Sequence, residues 1–141
     1  MKVSDAMTAQ VVTATPSSTI TEVARIMAEI ESGAVPVTEG SKVVGMVTDR
    51  DIVIRVVAER GSLDGPVSAV MSENVETCRE DDDLADAAAR MGARQIRRLV
   101  VLNSGGRLAG ILSLGDIAAG CDAKAVGRTL EEVSENSSRT R

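Results

Sequence analysis

A chain of 141 residues with 43% hydrophobic side chains has room for a real core, yet it contains no Phe, Trp, Tyr or His. Its core is therefore Val, Ala, Ile, Leu and Met, any planar ligand would lie between aliphatic side chains, and neither a histidine-based nucleophile system nor histidine metal ligation can be assembled. A net charge of −5, from 16 Lys and Arg against 21 Asp and Glu, disfavours nucleic-acid backbones as partners.

No stretch approaches the roughly eighteen apolar residues of a membrane span, so a soluble cytoplasmic protein is expected. Cys78 and Cys121 stand far apart in no CxxC spacing and read as two neutral thiols in a reducing compartment.

The chain opens with Val3-Ser4-Asp5-Ala6-Met7-Thr8, and a similar stretch returns as Val67-Ser68-Ala69-Val70-Met71-Ser72. A step of 64 residues links Met7 to Met71, Thr13 to Thr77, Met27 to Met91 and Val35 to Leu99. Beyond the turns Glu39-Gly40-Ser41 and Asn103-Ser104-Gly105-Gly106 the step is 65, as Gly45 to Gly110 and Asp51 to Asp116 show. One extra turn residue explains the change, and two tandem repeats follow.

In the first repeat Val11 to Thr13 predicts a short strand. Thr19 and Glu22 form a capping box, and Ile20, Val23, Ala24, Met27 and Ala28 carry the spacing of a buried helical face that Gly33 can stop. Ala34-Val35-Pro36-Val37 is extended, and Pro36 cannot donate to a ladder. A turn at Gly40 leads to a strand over Val43 to Val47 and a helix from Arg50 to Arg60, ending at Gly61.

The second repeat predicts a strand over Val75 to Cys78, an acidic cap at Asp81-Asp82-Asp83, a helix through Leu84, Ala87, Ala88 and Met91, and a strand over Leu99 to Leu102. First-turn helix chemistry accounts for the three aspartates without a metal. The expected division is 1–62 and 63–121 for the repeats, 122–133 for a C-terminal helix and 134–141 for a disordered tail.

The stretch that organises each repeat is Gly45-Met46-Val47-Thr48-Asp49-Arg50-Asp51, with its counterpart Gly110-Ile111-Leu112-Ser113-Leu114-Gly115-Asp116. A hydroxyl at a helix start with a carboxylate three residues on fits an N-cap. It also fits an anion site in which the carboxylate accepts from a sugar diol.

Two such repeats, with Met7-Thr8 and Ala34-Val35-Pro36-Val37 in their places, resemble the CBS-domain pair, or Bateman module, over about Met1 to Gly120. The resemblance implies an α/β (α+β) fold of two β-α-β-β-α repeats packed sheet to sheet about a pseudo-two-fold axis. It implies a regulatory sensor, without catalysis or cofactor, that binds AMP, ADP, ATP or S-adenosylmethionine in clefts between the repeats, forms a homodimer and acts on a regulated protein.

Carried over by residue, the resemblance gives Asp51 and Asp116 the ribose hydroxyls and places Thr48 and Ser113 near ribose or phosphate. Met46, Ile111, Val35 and Leu99 would flank the adenine, beside Pro36, and Thr13 and Thr77 would let backbone groups read the base edge. Arg98, with Arg50 second, would meet phosphates. The residue-level alternatives are a ligandless dimerisation scaffold, in which Thr48 and Asp51 serve only as caps, and single-stranded nucleic-acid binding, which the missing aromatic platforms disfavour. Leu114-Gly115 in place of Asp49-Arg50 makes the two sites unequal.

Overall fold

The computed structural model describes residues 1–120 and Val133. The tail over 134–141, Cys121 and all of the expected C-terminal helix except Val133 lie outside the described residues. The chain forms two compact units, one of Val11–Val75 and one joining Met1–Gln10 to Glu76–Arg141. They are called here the Asp51 unit and the Asp116 unit.

The Asp51 unit contains α2 (Ile20–Ile30), β1 (Ala34–Glu39), β2 (Lys42–Thr48) and α3 (Asp49–Ile52), which runs on as a π-helical turn over Val53–Val57. The Asp116 unit contains α1 (Val3–Ala6), β3 (Thr77–Arg79), α4 (Leu84–Arg94), β4 (Arg98–Leu102), β5 (Leu108–Ser113) and α5 (Leu114–Gly120). β1 and β2 pair antiparallel; in the other unit the order is β3-β4-β5, with β3 parallel and β5 antiparallel to β4.

Helix α2 starts as its sequence demands, with Thr19 Oγ1 accepting from Glu22 N–H and the Glu22 carboxylate accepting from Thr19 N–H. Ile20, Val23 and Met27 are its buried face. α4 uses Asp83 as N-cap, and Asp82 accepts from Arg79 N–H, so two of the three aspartates hold backbone groups.

Three helical segments end on a left-handed residue that is not glycine: Glu31, Arg60 and Gln95. Gly33 and Gly61 are therefore not the stops that the sequence offers. Gly33 is small for another reason, since a Cβ there would lie 2.7 Å from the Asp49 carboxylate.

The packing units exchange the segments that lead into each sequence repeat. Val3 N–H donates to Asp82 O (2.9 Å), Ser4 N–H to Glu80 O (2.9 Å) and Leu84 N–H to Met1 O (2.9 Å). In the Asp51 unit the same three bonds run from Val67 to Ser18 (2.7 Å), Ser68 to Pro16 (3.1 Å) and Ile20 to Gly65 (3.1 Å). Val3 and Val67 are wholly buried, one in each core. Burying a side chain of this kind contributes about 1.5 to 3 kcal/mol, so each core is completed by chain that precedes the other repeat's strands.

The first predicted strand is the main departure. Val11 to Thr13 forms no strand, and only Ala14 makes a parallel bridge, to Val37. In the Asp116 unit, by contrast, Val100 N–H donates to Glu76 O at 3.1 Å and a three-residue β3 follows. Pro36 occupies the place of Val100 and has no N–H to offer Val12, so the ladder shrinks to the bonds on either side of Ala14. Thr77 accordingly opens β3 instead of closing a strand.

Candidate functional site

In the Asp51 unit β2 ends at Thr48, and the chain turns directly into α3. Thr48 N–H donates to Asp51 Oδ2 at 2.9 Å, and Asp51 N–H donates to Thr48 Oγ1 at 3.2 Å. In the Asp116 unit Ser113 N–H donates to Asp116 Oδ2 at 2.9 Å and Asp116 N–H to Ser113 Oγ at 3.3 Å. Both hydroxyl-carboxylate pairs are thus reciprocal caps, and this fixes each carboxylate at the mouth of a strand-to-helix turn.

Capping leaves acceptor capacity, because a carboxylate offers about four lone-pair positions and the cap takes one. Asp51 Oδ1 lies 3.9 Å from Arg55 Nε, beyond hydrogen-bond reach; the Asp51 side chain is 18% exposed and that of Arg55 53%. The Arg55 guanidinium is anchored elsewhere, donating through Nη1 to Val70 O at 3.0 Å.

The remaining sequence candidates sort by burial. Val35 and Leu99 are enclosed in the cores of their own units, where they hold strands in place and present no surface. Pro36 is buried as well, and Thr13, Met46, Thr77 and Ile111 are half-buried. Met46 exchanges both backbone bonds with Ser72, and Ile111 does the same with Thr8. These contacts demand glycine next door: a Cβ on Gly45 would meet Met71 Sδ at 2.6 Å, and one on Gly110 would meet Met7 Sδ at 2.9 Å.

The Thr77 carbonyl already accepts from Arg90 Nη2 at 2.7 Å. Arg98 is half-buried and stands opposite Ser113 on the β4–β5 ladder, where the Asp51 unit has Ala34 opposite Thr48. Arg50 is exposed on α3.

Sequence reasoning missed Arg55, although its place four residues after Asp51 is the signal for an ion pair on a helix. It also missed Asp5, which shares with Asp116 the lining of a cavity of about 240 Å³ in the Asp116 unit. Cys78 is buried there, and burial, reinforced by the charge of Asp82 and opposed by Arg90, pushes its thiol pKa from 9.0 to about 11.

The CBS-domain sequence profile matches residues 3–58 and 67–121. The chain belongs to the CBS-domain family. As a CBS-domain protein it is 42% identical over 116 residues to the CBS domain-containing protein YhcV of Bacillus subtilis, covering 82% of each chain. It is also similar to the solved CBS domain protein PAE2072 of Pyrobaculum aerophilum complexed with AMP, with 31% identity and a TM-score of 0.77 over 96% of this chain and 99% of that one. A third likeness is to the CBS domain pair of protein MJ0100 in complex with 5′-methylthioadenosine and S-adenosyl-L-methionine, with 26% identity and a TM-score of 0.75 over 84% and 94% of the two chains. Among the described residues of this CBS protein no helix is long and apolar enough to cross a membrane.

Proposed function

We propose that the chain is a non-catalytic regulatory module of the cytoplasm that binds an adenosyl ligand and transmits its occupancy to a partner protein. The observation that carries this reading is the unspent acceptor capacity of Asp51. Its Oδ2 holds the cap, while Oδ1 makes no hydrogen bond among the described residues, so a ribose cis-diol has an anchored acceptor to meet. The AMP in PAE2072 and the S-adenosylmethionine in MJ0100 give the ligand class its support. Asp116 has the corresponding role in the second unit, with Thr48 and Ser113 beside the sugar and Arg98 or Arg50 meeting phosphates. A ligand shifts this module only by its differential affinity for two arrangements.

Because Asp51 is also a cap, Asp51→Ala would confound binding with folding. Asp51→Asn keeps an oxygen for the Thr48 amide and removes the charge that favours the diol. In calorimetry with AMP, ADP, ATP and S-adenosylmethionine, the ligand that binds the native chain should lose about tenfold or more in affinity on Asp51→Asn, the scale of a charge-assisted hydrogen bond. Unchanged affinity removes Asp51 from the site.

A ligandless homodimerisation scaffold is the second reading. It is favoured by Val53, Ile54 and Val57, which are 54%, 52% and 60% exposed on the turn that follows α3. Native mass spectrometry of the purified chain separates the two readings, since it reports subunit number and retained nucleotide together.

A further inference from the structure

The helical turn that follows Asp51 is fastened by a charged side chain to the segment leading into the second repeat, and its counterpart after Asp116 is not. Arg55, one turn beyond Asp51, donates through Nη1 to the Val70 carbonyl at 3.0 Å and holds its Nε 3.9 Å from Asp51 Oδ1. It makes no other hydrogen bond among the described residues. Val70 belongs to the segment over 66–72, whose chain runs on into β3 of the Asp116 unit. Val67 and Val70 are buried in the Asp51 core, and Ser72 exchanges both backbone bonds with Met46.

In the Asp116 unit the repeat register sets Gly120 against Arg55, Ala6 against Val70 and Met7 against Met71. A Cβ on Gly120 would lie 2.7 Å from Leu84 Cδ2 and 3.0 Å from Met1 Sδ, so the end of α5 packs straight onto α4 and onto the segment over 1–8. One leading segment is therefore held by apolar contact, which a change of charge leaves alone. The other is held by an exposed cation beside a candidate ligand acceptor.

We infer that Arg55 is a latch between the Asp51 carboxylate and the segment over 66–72, released when a ligand takes Asp51 Oδ1. Resting on the adenosyl reading above, this names how occupancy leaves the Asp51 site. With Oδ1 free, the carboxylate charge and the Val70 carbonyl hold the guanidinium from two sides. A ribose diol donating to Oδ1 offsets part of that charge, so the attraction that fixes the long side chain falls while the entropic cost of fixing it does not. The bond to Val70 O then opens more often, and the segment loosens at Val70 and Met71, whose amides both donate to Val67 O at 3.0 Å.

The first test needs no ligand, because Asp51→Asn removes the same charge and keeps the oxygen that Thr48 N–H requires. Amide exchange of the ligand-free chain, followed by NMR, should speed up at Val70 and Met71 by about two- to fivefold in Asp51→Asn, the range of a partly exposed ion pair. The same substitution should add nothing in Arg55→Met, and Asp116→Asn should leave Met7 unchanged. In the native chain, saturation with AMP or S-adenosylmethionine should also speed exchange at Val70 and Met71, whereas a ligand that only stabilises the fold slows it. No rise in Asp51→Asn, a rise that persists in Arg55→Met, an equal rise at Met7 in Asp116→Asn, or exchange slowed by a bound ligand overturns the latch and leaves the adenosyl reading standing. Failure of both compounds to bind the native chain overturns the adenosyl reading and, with it, release by a ligand.

Discussion

Around Thr48 and around Ser113 the two units make the same pair of hydrogen bonds, yet one meets its carboxylate with Arg55 and the other leaves a cavity at Gly120. Along the sheet the contrast runs through backbone chemistry: Pro36 reduces the first strand to a bridge at Ala14, while Val100 supports β3. What is shared is the device that fixes the carboxylate. What differs lies one side chain away from it, so duplicated scaffolds can keep a cap and still differ in the charge and openness of the surface beside it.

The contrast in the sheets can be broken by moving the proline. Val100→Pro removes the donor to Glu76 O and places a ring in the middle strand of its sheet. It should cost about 2 to 4 kcal/mol in urea denaturation, a lost bond added to an unpaired carbonyl, and should raise amide exchange across Thr77–Arg79. Pro36→Val, which restores a donor toward Val12, should change stability by less than about 1 kcal/mol, since one net hydrogen bond is offset by a looser unfolded chain. Equal effects would remove the proline as the cause.

A smaller effect sharpens the comparison at the exchanged segments. Gly110→Ala and Gly45→Ala should each destabilise by about 1 to 3 kcal/mol through overpacking. Gly110→Ala should be the costlier, because its Cβ would meet the Thr8 carbonyl at 2.5 Å, whereas Gly45 meets the flexible Met71 first and Ser72 O at 3.1 Å. Thermal melts of the two variants side by side decide the order.

The smallest effect distinguishes the cores by titration. Cys78 in the Asp116 unit stands where the Asp51 unit has Ala14. Its folded pKa of about 11 lies above the ordinary 9.0, so the folded state holds a proton that the unfolded state releases. The resulting stability is fully present below about pH 9 and is lost as pH rises through about 11. Stability of the native chain should therefore fall more steeply over that window than that of Cys78→Ala, with little difference at pH 7.

Much of this is legible in the sequence. The 64-residue step announced the duplication, and the Thr19 and Thr48 capping boxes form as their spacing requires. Pro36 warned that its neighbour would be poorly paired, although the apolar run Val11-Val12 still read as a strand, because periodicity reports a side-chain pattern and not whether the partner owns a donor. The helix ends at Glu31, Arg60 and Gln95 were hidden because the left-handed turn is closed by backbone bonds, from Ser32 N–H to Met27 O, Gly61 N–H to Val56 O and Ile96 N–H to Met91 O, with no glycine at the turning residue. The exchange of leading segments was hidden too: Val3 and Val67 are apolar in either core, and composition does not say which one they enter. Asp51 and Asp116 are legible as a pair from the repeat step, whereas the anchoring of Arg55 on Val70 O spans 15 residues and no local spacing shows it.

The traded leading segments decide where such a chain can be divided. A cut after residue 62 would yield two pieces, each lacking one buried valine of its own core and carrying the other's, Val3 in the first and Val67 in the second. A cut after Val75 would instead leave Val67 on the same continuous stretch as the rest of its core.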